Sequence, residues 1–218
     1  MNTAIINFFT TSILPGQEPP PQPPSNSEDT HVPALEPGGK LFDLLQRVYT
    51  LHHASGEDSS PNANAISQAV QIWHELDTWD PDPDEEEEGG EGSSSDTLLL
   101  YRLYKDAIFL WTYLIVHPDD VSGWKTQDAV RNILSGVEEV GGENELGQFV
   151  VIPLFFGGLA AFLPEDREIV RTNFERLERL ARGGRARGPY GIVQRSWSLY
   201  DSGAQRCWNW MTHEQEGT

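Results

Sequence analysis

The stretch Phe149-Val150-Val151-Ile152-Pro153-Leu154-Phe155-Phe156-Gly157-Gly158-Leu159-Ala160-Ala161-Phe162 decides the fold class. Its β-branched start suits a strand, whereas Gly157, Gly158, Ala160 and Ala161 suit a helix lying close against its neighbours. No other part of the chain alternates polar and apolar residues with a period of two, so a strand here would have no partner. The expectation is a buried helix. Even extended to Leu163 it is fifteen residues, short of the roughly 18 to 20 that cross hydrocarbon. Ala107 to Val116, ten residues, fails by the same measure.

Outward from this stretch the apolar spacing is helical. Leu41, Leu44, Leu45, Val48 and Leu51 step by threes and fours toward a stop near Ser55. Ile66, Ala69, Val70, Trp73 and Leu76 repeat the rhythm before Pro81. A third helix runs from about Thr97 to His117, with Leu100, Leu103, Tyr104, Ala107, Trp111 and Leu114 inward and Pro118 as its stop. A fourth begins near Thr126, turns Val130, Ile133, Leu134, Val137 and Val140 inward, and ends at Gly141 and Gly142. After Phe162, the run Pro164-Glu165-Asp166 reads as a helix start, with proline in the first turn and acids at the positive end of the dipole. Val170, Phe174, Leu177 and Ala181 follow it. A last helix from about Tyr190 carries Ile192, Val193, Trp197 and Tyr200, with a short turn near Trp208 to Met211. The pattern predicts an all-α, irregular bundle of six to seven amphipathic helices.

Three segments stand apart. Residues 1–14 are a short apolar segment that reads as a truncated helix; it lacks the basic start and cleavage site of a signal peptide. Residues 15–39 carry eight prolines among polar residues and read as an extended linker. Within the helical region, 40–214, residues 80–96 read as a solvated acidic insertion that is disordered, because eight carboxylates fall between Asp80 and Glu91.

Composition limits the function. The chain has 34 acidic and 15 basic residues, a formal charge of −19, and only Lys40 and Arg47 among the cations of its first hundred residues. A nucleic-acid grip needs a basic footprint. The single cysteine, Cys207, rules out an internal disulfide and a multi-cysteine zinc or iron–sulfur site in this chain, and a reducing intracellular compartment is the default. The six histidines show no metal-ligand spacing. His52 and His53 end a helix, where cationic side chains favour the dipole. Cys207, between Arg206 and Trp208, reads as a packed cysteine rather than a nucleophile. Gly183 to Gly191, with Arg185 and Arg187, lacks the context and ending of a phosphate loop and reads as a helix connection. No catalytic residue, cofactor or metal site is assigned. The surplus is aromatic: Trp73, Trp111, Phe155 and Trp197 are the candidate contacts for a partner or an apolar effector, with core packing as the plainer role.

Several of these residues resemble a known family. Tyr101, Leu103, Tyr104, Lys105, Asp106 and Ala107, leading through Leu110 and Tyr113 to His117 and Pro118, resemble the tyrosine- and leucine-rich helix of the fungal-specific transcription factor domain. Val151-Ile152-Pro153-Leu154-Phe155-Phe156-Gly157-Gly158, followed by Ala160, Arg167, Ile169 and Val170, is similar to that family's Trp-Pro-Leu-Phe-Ile-Ala-Gly segment and the Arg-bearing helix after it. Val193, Trp197, Asp201, Gly203 and Trp208 are similar to its C-terminal pattern. The resemblance covers about residues 41 to 214. Ile152 stands where the family often has Trp, and Leu159 where it usually has Cys. It implies a non-enzymatic regulatory domain of a fungal transcription regulator, acting in the nucleus. Its partners would be proteins of the transcription machinery, a copy of itself or a small apolar effector, with no membrane contact and the acidic insertion as an activation-type surface. The family's usual binuclear zinc cluster takes six cysteines, so direct DNA binding by this chain alone is not expected. The alternative is a helical enzyme of secondary metabolism with an aromatic-lined pocket.

Overall fold

A computed structural model describes residues 4–14, 32–55, 61–81, 93–140, 145–180 and 186–212. Eight α-helices follow in order: α1 (Ala4–Phe8), α2 (Lys40–Ser55), α3 (Ala63–Thr78), α4 (Ser93–Val116), α5 (Trp124–Val140), α6 (Val151–Leu159), α7 (Pro164–Leu180) and α8 (Arg187–Asp201). A π-helical turn, Phe9–Ile13, continues α1, and 3-10 turns occupy Pro33–Leu35, Glu145–Val150 and Trp210–Thr212. The described residues contain no strand, so the all-α expectation holds; the eight helices are close to the six to seven expected, and α1 falls in the apolar segment that reads as a truncated helix. None of these helices is long and apolar enough to cross a membrane.

The stretch that decided the fold class is the centre of the molecule. Every residue of α6 from Val151 to Leu159 is buried, so this helix has no polar face and must be enclosed on all sides. It packs against α4, α5, α7 and α8. The close approach rests on glycine: a Cβ on Gly157 would stand 2.9 Å from Ile133 Cγ2 of α5, and one on Gly158 3.1 Å from Val193 Cγ1 of α8. The end of α6 is tied as well as packed. Trp197 Nε1 donates to Gly158 O at 2.9 Å, beside the backbone bond that carbonyl takes from Ala161 N, and Gln127 Nε2 of α5 donates to Ala160 O at 3.0 Å, just past the helix end.

The longest helix, α4, runs beside α6 and also meets α2, α3 and α5. Its inward residues Leu100, Leu103, Tyr104, Ala107, Trp111 and Leu114 are all buried, as their spacing predicts. Tyr104 donates its hydroxyl to Phe149 O at 2.9 Å, fixing the 3-10 turn that leads into α6. α3 starts with Asn62, whose side chain accepts from Ala65 N at 2.8 Å. Its Glu75 takes Lys40 and Arg47 of α2, at 2.6 and 2.8 Å. At the far corner Arg167 of α7 grips Asp201 of α8 with two bonds, at 2.8 and 2.7 Å, while its guanidinium lies over Trp197 and Phe162.

Three expectations need correction. On α3 the inward stripe is Ala65, Ala69, Ile72 and Leu76, whereas Ile66 and Val70 face solvent at 41% and 53% exposure. The two stripes sit one residue apart, and the inner one uses two alanines, which let the backbones approach more closely. Residues 32–39 do not behave as linker: Val32, Ala34 and Leu35 are buried, and the turn they form leads directly into α2. Ser93 to Asp96 belong to α4 rather than to the acidic insertion. Residues 15–31, 82–92, 141–144, 181–185 and 213–218 lie outside the described residues, and with them fall most of the predicted linker and insertion, the glycine stop after α5 and Arg185.

The glycine contacts lead to a paired test. Gly157→Val is expected to lose about 1–3 kcal/mol from overpacking against Ile133. Gly191→Ala, where an added Cβ meets nothing within 4 Å, is expected to be neutral or to gain up to about 1 kcal/mol through helix propensity. Thermal unfolding followed by circular dichroism reads both.

Candidate functional site

Two aromatic assemblies occupy the bundle, one closed and one open. The closed one gathers residues from four parts of the chain. Trp111 of α4 stacks on Phe156 of α6 at 4.5 Å between centroids, and Trp210 fits edge-on against Phe155 at 5.3 Å. His52 of α2 lies parallel to Trp208 at 5.4 Å and accepts the Trp111 indole N–H on Nδ1 at 3.0 Å. That bond places the ring's proton on Nε2. Trp208 donates to Pro118 O and Trp210 to Ile13 O, each at 2.9 Å, so every indole of the cluster has an acceptor.

Burial sets the chemistry of His52. With the His53 charge beside it, and despite a small opposite pull from Asn209, desolvation pushes its pKa down to about 3. The ring is neutral throughout the physiological range. The expected role at the helix dipole therefore fails for His52: position 52 continues the stripe from Val48, and the side chain goes inward rather than to solvent.

The open assembly lies on the outer face of α4, between α3 and α5. Trp73 of α3 meets Phe109 at 6.1 Å and Tyr113 at 6.4 Å, and those two rings stack at 5.9 Å. Lys125 of α5 reaches over Tyr113 and Trp124. Tyr113 donates its hydroxyl to Asp120 at 2.7 Å; burial and that carboxylate together push its pKa up to about 12. Asp106, one turn before Phe109, is pushed up to about 6 by burial, against the pull of Arg102 and Lys105. Exposed apolar residues lie outward on the same elements: Val70 and Ile66 one and two turns before Trp73, Leu98 in the first turns of α4, and Trp124 at 73% exposure. The Trp73 indole nitrogen is shielded from water and has no acceptor. A shallow concavity of about 380 Å³, lined by Pro61, Val116, His117, Pro118, Asp119, Asp120 and Arg206, borders this face.

The four candidate contacts thus separate. Trp111 and Phe155 come together in the closed cluster and are buried, Trp197 is buried where α6, α7 and α8 meet, and Trp73 alone reaches the open face. Phe109, Tyr113 and Trp124 join this face without any sequence signal beyond the spacing of four that puts Phe109 and Tyr113 on one side of α4. Nothing in this arrangement sets up a nucleophile. Burial pushes the Cys207 thiol up to about 11, and Arg206 beside it is turned to Asp119 instead. The described residues include no group of three or more His, Cys, Asp or Glu that could hold a metal ion.

A family model described as the fungal specific transcription factor domain matches residues 22–217. No curated protein and no solved structure matches the chain.

The closed cluster makes stability depend on pH with a definite sign. The unfolded chain protonates His52 near pH 6.5, whereas the folded chain resists until about pH 3. Between those values the unfolded state binds more protons, so stability falls as pH falls. Asp106, whose proton is held up to about pH 6 in the fold, works the other way over part of the range. His52→Phe is expected to lose about 1–3 kcal/mol at pH 7, since Trp111 loses its acceptor. It should also flatten the acid limb between pH 6 and 4 by up to about 1.4 kcal/mol per pH unit. Urea unfolding at a series of pH values measures both.

Proposed function

The chain belongs to the fungal specific transcription factor domain family, and from that premise we propose that it is a non-enzymatic regulatory domain that meets protein partners of the transcription machinery through the open aromatic face of α3, α4 and α5. The observation that carries this reading is the exposure of Ile66, Val70 and Trp124 around the half-buried Trp73 and Phe109. Aromatic side chains with apolar neighbours, ringed by charges such as Arg102, Lys125 and Asp128, form the kind of patch that protein interfaces use at their centres. The closed cluster supports the fold instead. Its rings fill the space that an apolar effector would need.

The same reading places the chain in the nucleus and assigns sequence-specific DNA contact to another polypeptide segment, in keeping with the charge of −19 and the single cysteine. Residues 82–92, with their acidic run, would add a second contact surface for the same partners.

The test is a reporter assay with the chain fused to an unrelated DNA-binding module. Val70→Glu combined with Trp124→Glu is expected to reduce the reporter response at least several-fold. Because both side chains are exposed, each change should alter stability by no more than about 0.5 kcal/mol, which thermal unfolding checks. A response that survives the double change removes the open face as the contact surface. Deletion of residues 82–92 is expected to lower the response further, and an unchanged output would remove the acidic run from the proposal.

A further inference from the structure

We propose that the open face takes an amphipathic α-helix whose apolar stripe is closed at both ends by carboxylates, one meeting Arg102 and the other Lys125. The inference rests on the reading of that face as the partner surface and adds the chemistry of the partner.

What carries it is where the fold leaves cations without acids. Among the described residues, seven cations pair with carboxylates. Lys105, Arg176 and Arg179 donate to backbone carbonyls, and Arg195 is engaged as well. Arg102 and Lys125 make neither a hydrogen bond nor an ion pair among the described residues, and both are exposed on the open face. Arg102 acts on Asp106 through its charge without bonding to it, and Lys125 lies over the Tyr113 and Trp124 rings. In a chain of 34 acidic and 15 basic residues, two cations left without acids around one apolar patch ask for carboxylates from outside. Charges more than about 8 Å away are largely screened at physiological salt, so acids at those two points answer to Arg102 and Lys125 rather than to the net charge.

Spacing makes the partner helical. Lys125 stands at the level of Tyr113, eleven residues along α4 from Arg102, which is about 16 Å at 1.5 Å per residue. Phe109 and Trp73 lie between those levels. Eleven residues complete three helical turns to within about 20°. A helix laid along α4 therefore presents an acid at each end on one face, with apolar residues four and seven positions after the first acid to cover Phe109 and Trp73. Asp106, one turn along from Arg102, has no hydrogen bond or ion pair among the described residues and takes a base from the same helix. An extended peptide would find no edge to pair with, since the described residues contain no strand. A helix satisfies its own backbone and needs only side-chain cover, which α3 and α5 supply on either side of α4.

The test uses the full chain and two fluorescently labelled helical peptides on an alanine background. Both carry the two leucines and one lysine beside the first of them; the end positions, eleven residues apart, are glutamates in one peptide and lysines in the other. Fluorescence anisotropy at about 0.15 M salt reads binding. The glutamate peptide is expected to bind at least tenfold more tightly than the lysine peptide, and Arg102→Glu with Lys125→Glu is expected to reverse that preference. Arg171→Glu with Arg187→Glu makes the same change in net charge on α7 and α8 and is expected to leave the preference as it was. All four side chains are exposed, so thermal unfolding is expected to change little in either variant. Equal binding of the two peptides, no binding of the glutamate peptide up to about 1 mM, a preference that survives the Arg102 and Lys125 changes, or one that the Arg171 and Arg187 changes also reverse overturns the proposal. The reporter assay separates it from the reading it rests on: a response lost with Val70→Glu and Trp124→Glu but kept with Arg102→Glu and Lys125→Glu retains the face and discards the acid-ended helix. A dimer in light scattering that the Arg102 and Lys125 changes dissolve gives the face to a second copy and overturns the proposal as well.

Discussion

A helix with no polar face has only one stable place, and α6 sets that constraint for the whole molecule. Since each residue from Val151 to Leu159 is buried, neighbours must cover the full circumference: α4 and α5 on one side, α7 and α8 on the other, with Phe9 and Trp210 closing over Phe155. The glycines at 157 and 158 set how near those neighbours come. Substituting a polar residue here would not merely weaken a contact; it would leave a group with no route to water. The arrangement also explains why two segments remote in sequence, residues 4–14 and the turn at Trp210, meet in space.

Large indole rings supply much of that cover, and each brings an N–H that burial obliges the fold to satisfy. The solutions tie separate elements together. Trp111 bonds His52 across α4 and α2, Trp197 bonds Gly158 across α8 and α6, Trp208 bonds Pro118, and Trp210 bonds Ile13. A protonated His52 could not accept from Trp111, so the low pKa of that ring is a condition of the packing, not an accident of it. The Arg167–Asp201 pair works similarly at the opposite corner, where the Arg and the C-terminal pattern of the family resemblance come into contact through Trp197.

Helix periodicity made most of this architecture legible. Leu41 to Leu51 and Leu100 to Leu114 could be assigned faces because their apolar residues fall on one stripe only. α3 shows where that reasoning stops. Ile66 with Val70 and Ala65 with Ala69 define neighbouring stripes, and hydrophobicity alone favours the larger residues, whereas packing against α4 and α2 selects the smaller. Residues 32–39 escaped for a related reason: their prolines and glycines outweigh Val32, Ala34 and Leu35 in composition, yet three apolar side chains suffice to anchor a turn to a core already present. The site was less legible than the fold. Trp73 was singled out, but its neighbours Phe109, Tyr113 and Trp124 acquire meaning only when α3 and α5 are placed either side of α4. Trp111, Phe155 and Trp197 looked equivalent to Trp73 in sequence, and only enclosure by other elements distinguishes them.

Charge supplies the remaining step. The fold commits its few cations to particular neighbours: Lys40 and Arg47 converge on Glu75, Arg131 meets Asp128, Arg167 meets Asp201, Arg187 meets Glu178 and Arg206 meets Asp119. Lys105 donates to Trp79 O and Lys125 lies over two rings. Each of these cations is thus committed to a neighbouring carboxylate, carbonyl or ring, and over the whole sequence acids outnumber bases by nineteen. On the proposed reading, a partner for this surface would be apolar at its centre and carry charges of both signs at its rim. That chemistry fits the open face, where Trp73, Phe109 and Trp124 provide apolar area and the carboxylates of Asp106, Asp120 and Asp128 lie around it. Asp106 adds a consequence of the same reading: a basic group brought beside it would favour the ionised form that burial disfavours, so binding would draw its pKa back down.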